Sequence, residues 1–153
     1  RDGRDIGVAN EAEHVLVLRD GKTNYARQNL LELSGSDLEP IPLVQWPHAR
    51  CSAEFCTLTV KRGPPKQEPR NWTILVARNR DLVAERALAA ACQRADIVIA
   101  ERYLPRSCRP RWLKIDRLFL QREGGTAIYL SSREVATVAQ DQGEHGWWRA
   151  SVR

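Results

Sequence analysis

No stretch of the chain stays apolar for the roughly 18 residues that a membrane-crossing helix needs. A signal-peptide pattern, a low-complexity tract and a fixed-period repeat are also lacking, which sets aside a membrane span and a repeat architecture within these 153 residues. The phosphate-cradling GxxxxGK[ST] and the dinucleotide-binding GxGxxG do not occur. Neither does the GxSxG elbow, so a serine-hydrolase triad would have to be assembled from isolated residues. The metal-binding HxHxDH pattern is missing as well. Cysteines show no CxxC spacing, and the three histidines, His14, His48 and His145, are scattered, which is poor spacing for zinc. They read as structural or solvent-facing side chains.

What is present is the composition of one globular domain over residues 1–153, 42% hydrophobic and 28% charged. The chain begins at Arg1 rather than Met, and the expectation is an excised piece whose targeting signals lie outside it. A net charge of +5 favours an anionic partner, nucleic acid or lipid headgroups. An even count of four cysteines without metal spacing has two readings: two disulfides formed in an oxidising compartment, or four buried thiols. If disulfides form, pairing Cys51 with Cys56 and Cys92 with Cys108 needs least rearrangement.

Taken in order, Ile6–Ala9 and Glu13–Arg19 read as strands, with Asp20-Gly21 as a turn. A helix begins near Thr23 or Asn24 and stops at Gly35. Residues 37–47 form a proline-rich connector that packs over a core edge. Cys56–Lys61 and Trp72–Ala77 make a hairpin with a long tip, Gly63–Pro69. Asp81 caps a helix through Ala95, with Leu82, Val83, Leu88 and Cys92 as its buried side. Asp96–Ala100 is a buried strand, and Thr126–Leu130 and Glu134–Val138 close the domain. The expected fold class is α/β, with about seven strands, three helices and some parallel pairing.

The stretch Asp96–Gly125 carries the functional argument. Its strand runs into a basic loop, and Pro110 then reads as the first turn of a helix bearing Trp112, Ile115, Leu118 and Phe119, ended by Gly124-Gly125. From Arg102 to Arg122 there are seven Arg or Lys against one carboxylate, Asp116. Two readings stand. One is an ordinary solvated surface. The other is a cationic rim of Arg102, Arg106, Arg109, Arg111 and Lys114, reinforced by helix N–H groups near Arg111. Trp112 belongs to the apolar repeat and reads as core, with base stacking as its alternative. Of Trp147 and Trp148 only one can face the core, so Trp148 is a candidate stacking or docking residue. Cys108, between Arg106 and Arg109, is an activated thiol if free and half of a disulfide otherwise.

The run Ala77–Leu130 with its SCRPRWLK segment (Ser107–Lys114), WPHARCSAEFC (Trp46–Cys56) and GEHGWWR (Gly143–Arg149) resemble the C-terminal region of ComEC-type competence proteins, in a proteobacterial branch of that family. The resemblance extends from about Arg4 to Arg149. It implies a soluble C-terminal piece of a polytopic inner-membrane channel for DNA uptake in natural transformation, facing the periplasm. It also implies a metallo-β-lactamase-like mixed sheet, proposed in the family to degrade the non-transforming strand. The departures are at the metal positions. Ala77-Arg78-Asn79 stands where the family has a Gly-Asp turn, and Glu101–Ser107 where it has a His-rich turn. The expectation is therefore a degenerate, non-catalytic accessory domain with no metal or other cofactor. Its expected partners are single- or double-stranded DNA, bound without sequence preference, and the transmembrane channel of the same protein. Two alternatives are a nuclease using Glu101, Asp81 or Asp96 with a non-standard site, and a purely structural interaction module.

Overall fold

A computed structural model describes residues 6–9, 14–18 and 24–142. Within them the molecule is mixed α/β, with three sheets and four α-helices. The central sheet has the order β4-β5-β6-β7-β8, from Ala49–Cys51 (β4), Phe55–Arg62 (β5), Arg70–Ala77 (β6), Ile97–Ile99 (β7) and Leu113–Ile115 (β8). The first three strands are antiparallel and the last three parallel. β6 reads as a continuous apolar run because it is covered on both sides, as central strands of such sheets are. Cys56, Leu58 and Val60 of β5 are buried, while Thr57 and Thr59 between them face solvent.

One face of the central sheet, through Leu58, Val60, Ile74, Val76 and Ile97, packs on Leu16 and Leu43. These belong to a second layer. In it, β1 (Gly7–Ala9) pairs antiparallel with β2 (Val15–Val17), and β2 pairs in parallel with the short β3 (Ile41–Pro42). Helix α1 (Asn24–Ser34) connects β2 to β3, and Gly35 leaves it at φ +66°, the left-handed backbone that favours glycine. The hairpin β9 (Thr126–Tyr129) and β10 (Glu134–Thr137) adds Ile128 and Leu130 to this side. The other face, through Leu75, Ala77, Val98 and Ala100, is covered by helix α2 (Glu85–Arg94) and by the crossover from β7 to β8. A short α4 (Val138–Gln142) ends the described chain.

Both disulfides form, Cys51–Cys56 and Cys92–Cys108, with Cα atoms 4.0 Å and 5.2 Å apart. Free, reactive Cys108 is thus set aside. Cys51 and Cys56 are register partners across the β4–β5 ladder. Cys92–Cys108 ties the crossover to the last turns of α2.

Four expectations need correction. The helix expected from Pro110 is instead β8 followed by a shorter α3 (Arg117–Glu123). The N–H groups of Arg111, Trp112 and Leu113 bond the carbonyls of Ala95 and Asp96, so pairing with β7 overrides the local helical spacing. Asp116 caps α3, its side chain accepting from Phe119 N at 3.0 Å, and Gly124 ends it as expected. Among the described residues no helix therefore begins near Arg111. Second, α2 starts at Glu85 after Ala84, because Asp81 N donates to Asn79 Oδ1 in a local turn. Third, Leu82 lies outside α2 and is 91% exposed. Fourth, the described residues hold ten strands, the three extra being β3, β4 and β8. The Asp20-Gly21 turn, His145, Trp147 and Trp148 lie outside the described residues.

Candidate nucleic-acid interface

β6, β7 and β8 all begin at one end of the central sheet, where α2 finishes and the β5–β6 tip projects. Topology brings Lys61, Arg62, Lys66, Arg70, Arg94, Arg111 and Arg133 to this end, against the carboxylates of Glu68, Asp96 and Glu134. Asp96 organises its centre. Its side chain is 3% exposed, with Oδ1 accepting from Arg70 Nη2 at 2.9 Å and lying 3.7 Å from Arg111 Nη1. Oδ2 accepts from Thr73 N at 2.8 Å. The carboxylate is held by backbone and arginine together, which is how a buried charge is tolerated.

Two indole rings back the arginines. Trp72 is buried, donates Nε1–H to the carbonyl of Arg62 and lies 5.2 Å from Trp112, centroid to centroid. Arg70 and Trp72 sit two residues apart on one strand and so share a face. The Arg70 guanidinium lies 3.8 Å from the Trp72 ring centroid. Arg133, in the β9–β10 turn, reaches 5.3 Å from Trp112 and 5.8 Å from Trp72. Its backbone is left-handed, φ +57°, uncommon for a residue with a side chain. Such contacts are worth about 0.5–1 kcal/mol each at exposed sites. They hold the Arg70 and Arg133 guanidinium groups against the rings. Arg70 and Arg111 are about half exposed and Arg133 is exposed.

The opposite end of the sheet is different. Arg80 pairs with Glu101. Arg78 Nη1 donates to the carbonyl of Ser52 at 2.5 Å, and Asn79 Nδ2 to that of Ala53 at 3.1 Å. Arg102 lies over Phe55 at 5.5 Å, with Nε and Nη2 buried and without hydrogen-bond partners. Among the described residues no group of three or more His, Cys, Asp or Glu could hold a metal ion. The residues following β6 and β7 are arginines, an asparagine and an ion-paired glutamate, a donor set that does not suit a divalent metal. A groove of about 390 Å³ beside α2, lined by Phe55, Leu75, Val83 and Leu88 with Arg50 and Glu54, presents no convergent catalytic groups.

The crossover cations expected to form one rim are spread over the length of the sheet. Arg102 is at the end where β7 finishes, Arg111 at the end where β8 starts, and Arg106 and Arg109 lie between them on the surface. Lys114 is half-buried in β8 opposite Val98. The carboxylates considered for a nuclease are not brought together either, since Asp96 and Glu101 flank opposite ends of β7 and Asp81 is exposed. Sequence reasoning included Arg111 and missed Arg70 and Arg133. The Arg-x-Trp spacing at the start of β6 was a legible signal for Arg70. Nothing local marks Arg133, because only the folding of the hairpin carries it to the tryptophans. In comparisons with known protein families, curated proteins and solved structures, no match was found.

Proposed function

We propose that this is a non-catalytic accessory domain of a ComEC-type DNA-uptake channel, built on a degenerate metallo-β-lactamase-like scaffold, and that it holds DNA by its phosphates. The supporting observation is that Arg70 and Arg133 lie over Trp72 and Trp112, with Arg111 beside them at the single buried carboxylate of Asp96. Exposed guanidinium groups on a rigid backing match phosphate oxygens in pairs. Binding of this kind draws on counterion release and reads no base edges, so it is independent of sequence. The two disulfides support an oxidising compartment, in keeping with a periplasmic face, and the remainder of the channel protein is the second partner. The residues at the implied metal positions support a binding role over hydrolysis.

The test is a DNA-binding titration with and without EDTA, together with elemental analysis and a cleavage assay in added Mn²⁺ or Zn²⁺. The expected result is chelator-insensitive binding, no stoichiometric metal and no cleavage. Stoichiometric metal with chelator-sensitive cutting would establish the nuclease alternative. Absence of DNA affinity would leave the structural module.

A further inference from the structure

The basic end has a second component, the seven-residue tip between β5 and β6. The β5–β6 ladder runs as far as the pair Arg62 and Arg70, so the tip begins directly from the arginine cluster. Its neck is tight: a Cβ on Gly63 would stand 2.8 Å from Pro69 Cα and 3.2 Å from the Glu68 carbonyl oxygen. Pro64, Pro65 and Pro69 restrict the backbone, and Gln67 N closes a turn on the carbonyl of Pro64. Lys66 sits at that turn with φ +66°, its side chain exposed. The result is a pre-shaped loop closing the two-stranded β5–β6 ribbon, with Lys66 at its apex and Glu68 beside it, and a ribbon of this kind fits the major groove of a duplex.

The aromatic groups point the same way. Sequence-independent binding of single strands relies on open rings for bases to stack on. Here Trp72 is 1% exposed, and Trp112 is half-buried between Trp72 and Arg133. Tyr129 is exposed, but strand alternation places it on the hairpin face opposite Ile128 and Leu130, which pack inward. The rings at this site are therefore used as backing for arginine.

Resting on the DNA-binding function above, we infer that the ligand of this end is double-stranded DNA, with the Gly63–Pro69 tip as a second arm that enters a groove while Arg70, Arg111 and Arg133 take the flanking phosphates. The experiment is a pair of fluorescence-anisotropy titrations of the whole chain with a 24-mer duplex and its single strand, at several salt concentrations. Lys66→Asn is compared with wild type, since asparagine accepts the left-handed backbone. Arg86→Gln, on the exposed side of α2, is the control. The duplex is expected to bind at least about tenfold more tightly than the single strand. Lys66→Asn should lower the duplex log–log salt slope by about one unit and leave the single strand and the control nearly unchanged. Equal or tighter single-strand binding, or a duplex curve unmoved by Lys66→Asn, would overturn the inference while leaving DNA binding intact. No binding to either form would overturn the function on which it rests.

Discussion

Two buried carboxylates, Asp96 and Asp116, serve opposite ends of the β7–β8 pair, and each holds backbone as well as charge. Asp96→Ala would orphan Thr73 N, remove the acceptor of Arg70 and leave Arg111 without its counter-charge. A cost of about 2 kcal/mol is expected in urea unfolding, most of it from the unsatisfied buried N–H. Arg70→Ala should cost about 1–2 kcal/mol, since screening at the half-exposed arginine limits the loss while buried Asp96 loses a donor and Trp72 its cation. Asp116→Ala removes the cap of α3 and an acceptor for Leu104 N, and should cost about 1–2 kcal/mol. Asp81→Ala should change stability by less than about 0.5 kcal/mol, because that side chain caps nothing. Arg102 differs from all of these, with two buried donors unpaired. Arg102→Met keeps the packing over Phe55 and removes those donors, so it should be neutral or raise the melting temperature. A marked fall in melting temperature would show that Arg102 has an essential partner.

At the scale of elements, the crossover from β7 to β8 is the least regular part of the described core, and Cys92–Cys108 pins it to α2. By the chain-entropy relation, losing this bridge should cost about 3 kcal/mol, and losing Cys51–Cys56, which closes a shorter loop, about 2 kcal/mol. Paired Cys→Ser variants in urea titrations check both the size and the order. The same crossover shows what was legible beforehand. The β5–β6 hairpin, α1 and β7 stood out because alternation, a left-handed glycine and an unbroken apolar run are local signals. β8 did not, because Trp112, Ile115, Leu118 and Phe119 carry a helical spacing that pairing with β7 overrules. β3 and β4 are two and three residues long, too short for any period to register. The site was half legible for a related reason: Arg70 and Trp72 share a strand face, whereas Arg133 arrives from a hairpin some sixty residues further along the chain.

For the whole molecule, what matters is where the positive charge lies. The net +5 is not spread evenly. Where β7 and β8 begin, cations outnumber carboxylates, whereas at the opposite end Arg78, Arg80, Arg102 and Arg117 are matched by Glu54, Asp81, Glu85, Glu101 and Asp116. On the proposed function, the field of the domain would draw a polyanion to the first end. The most direct measurement is the salt dependence of duplex-DNA binding for two variants compared with wild type. Arg111→Gln/Arg133→Asn removes two cations from the tryptophan-backed end and leaves Asp96 paired with Arg70. Arg106→Gln/Arg109→Gln removes two from the exposed crossover. The first should weaken binding and flatten the log–log slope by nearly two units, with the fold confirmed by an unchanged circular-dichroism spectrum and a cooperative unfolding transition, and the second should leave the slope close to wild type. An unchanged slope in the first variant, or a loss confined to the second, would contradict the placement of the DNA site at this end.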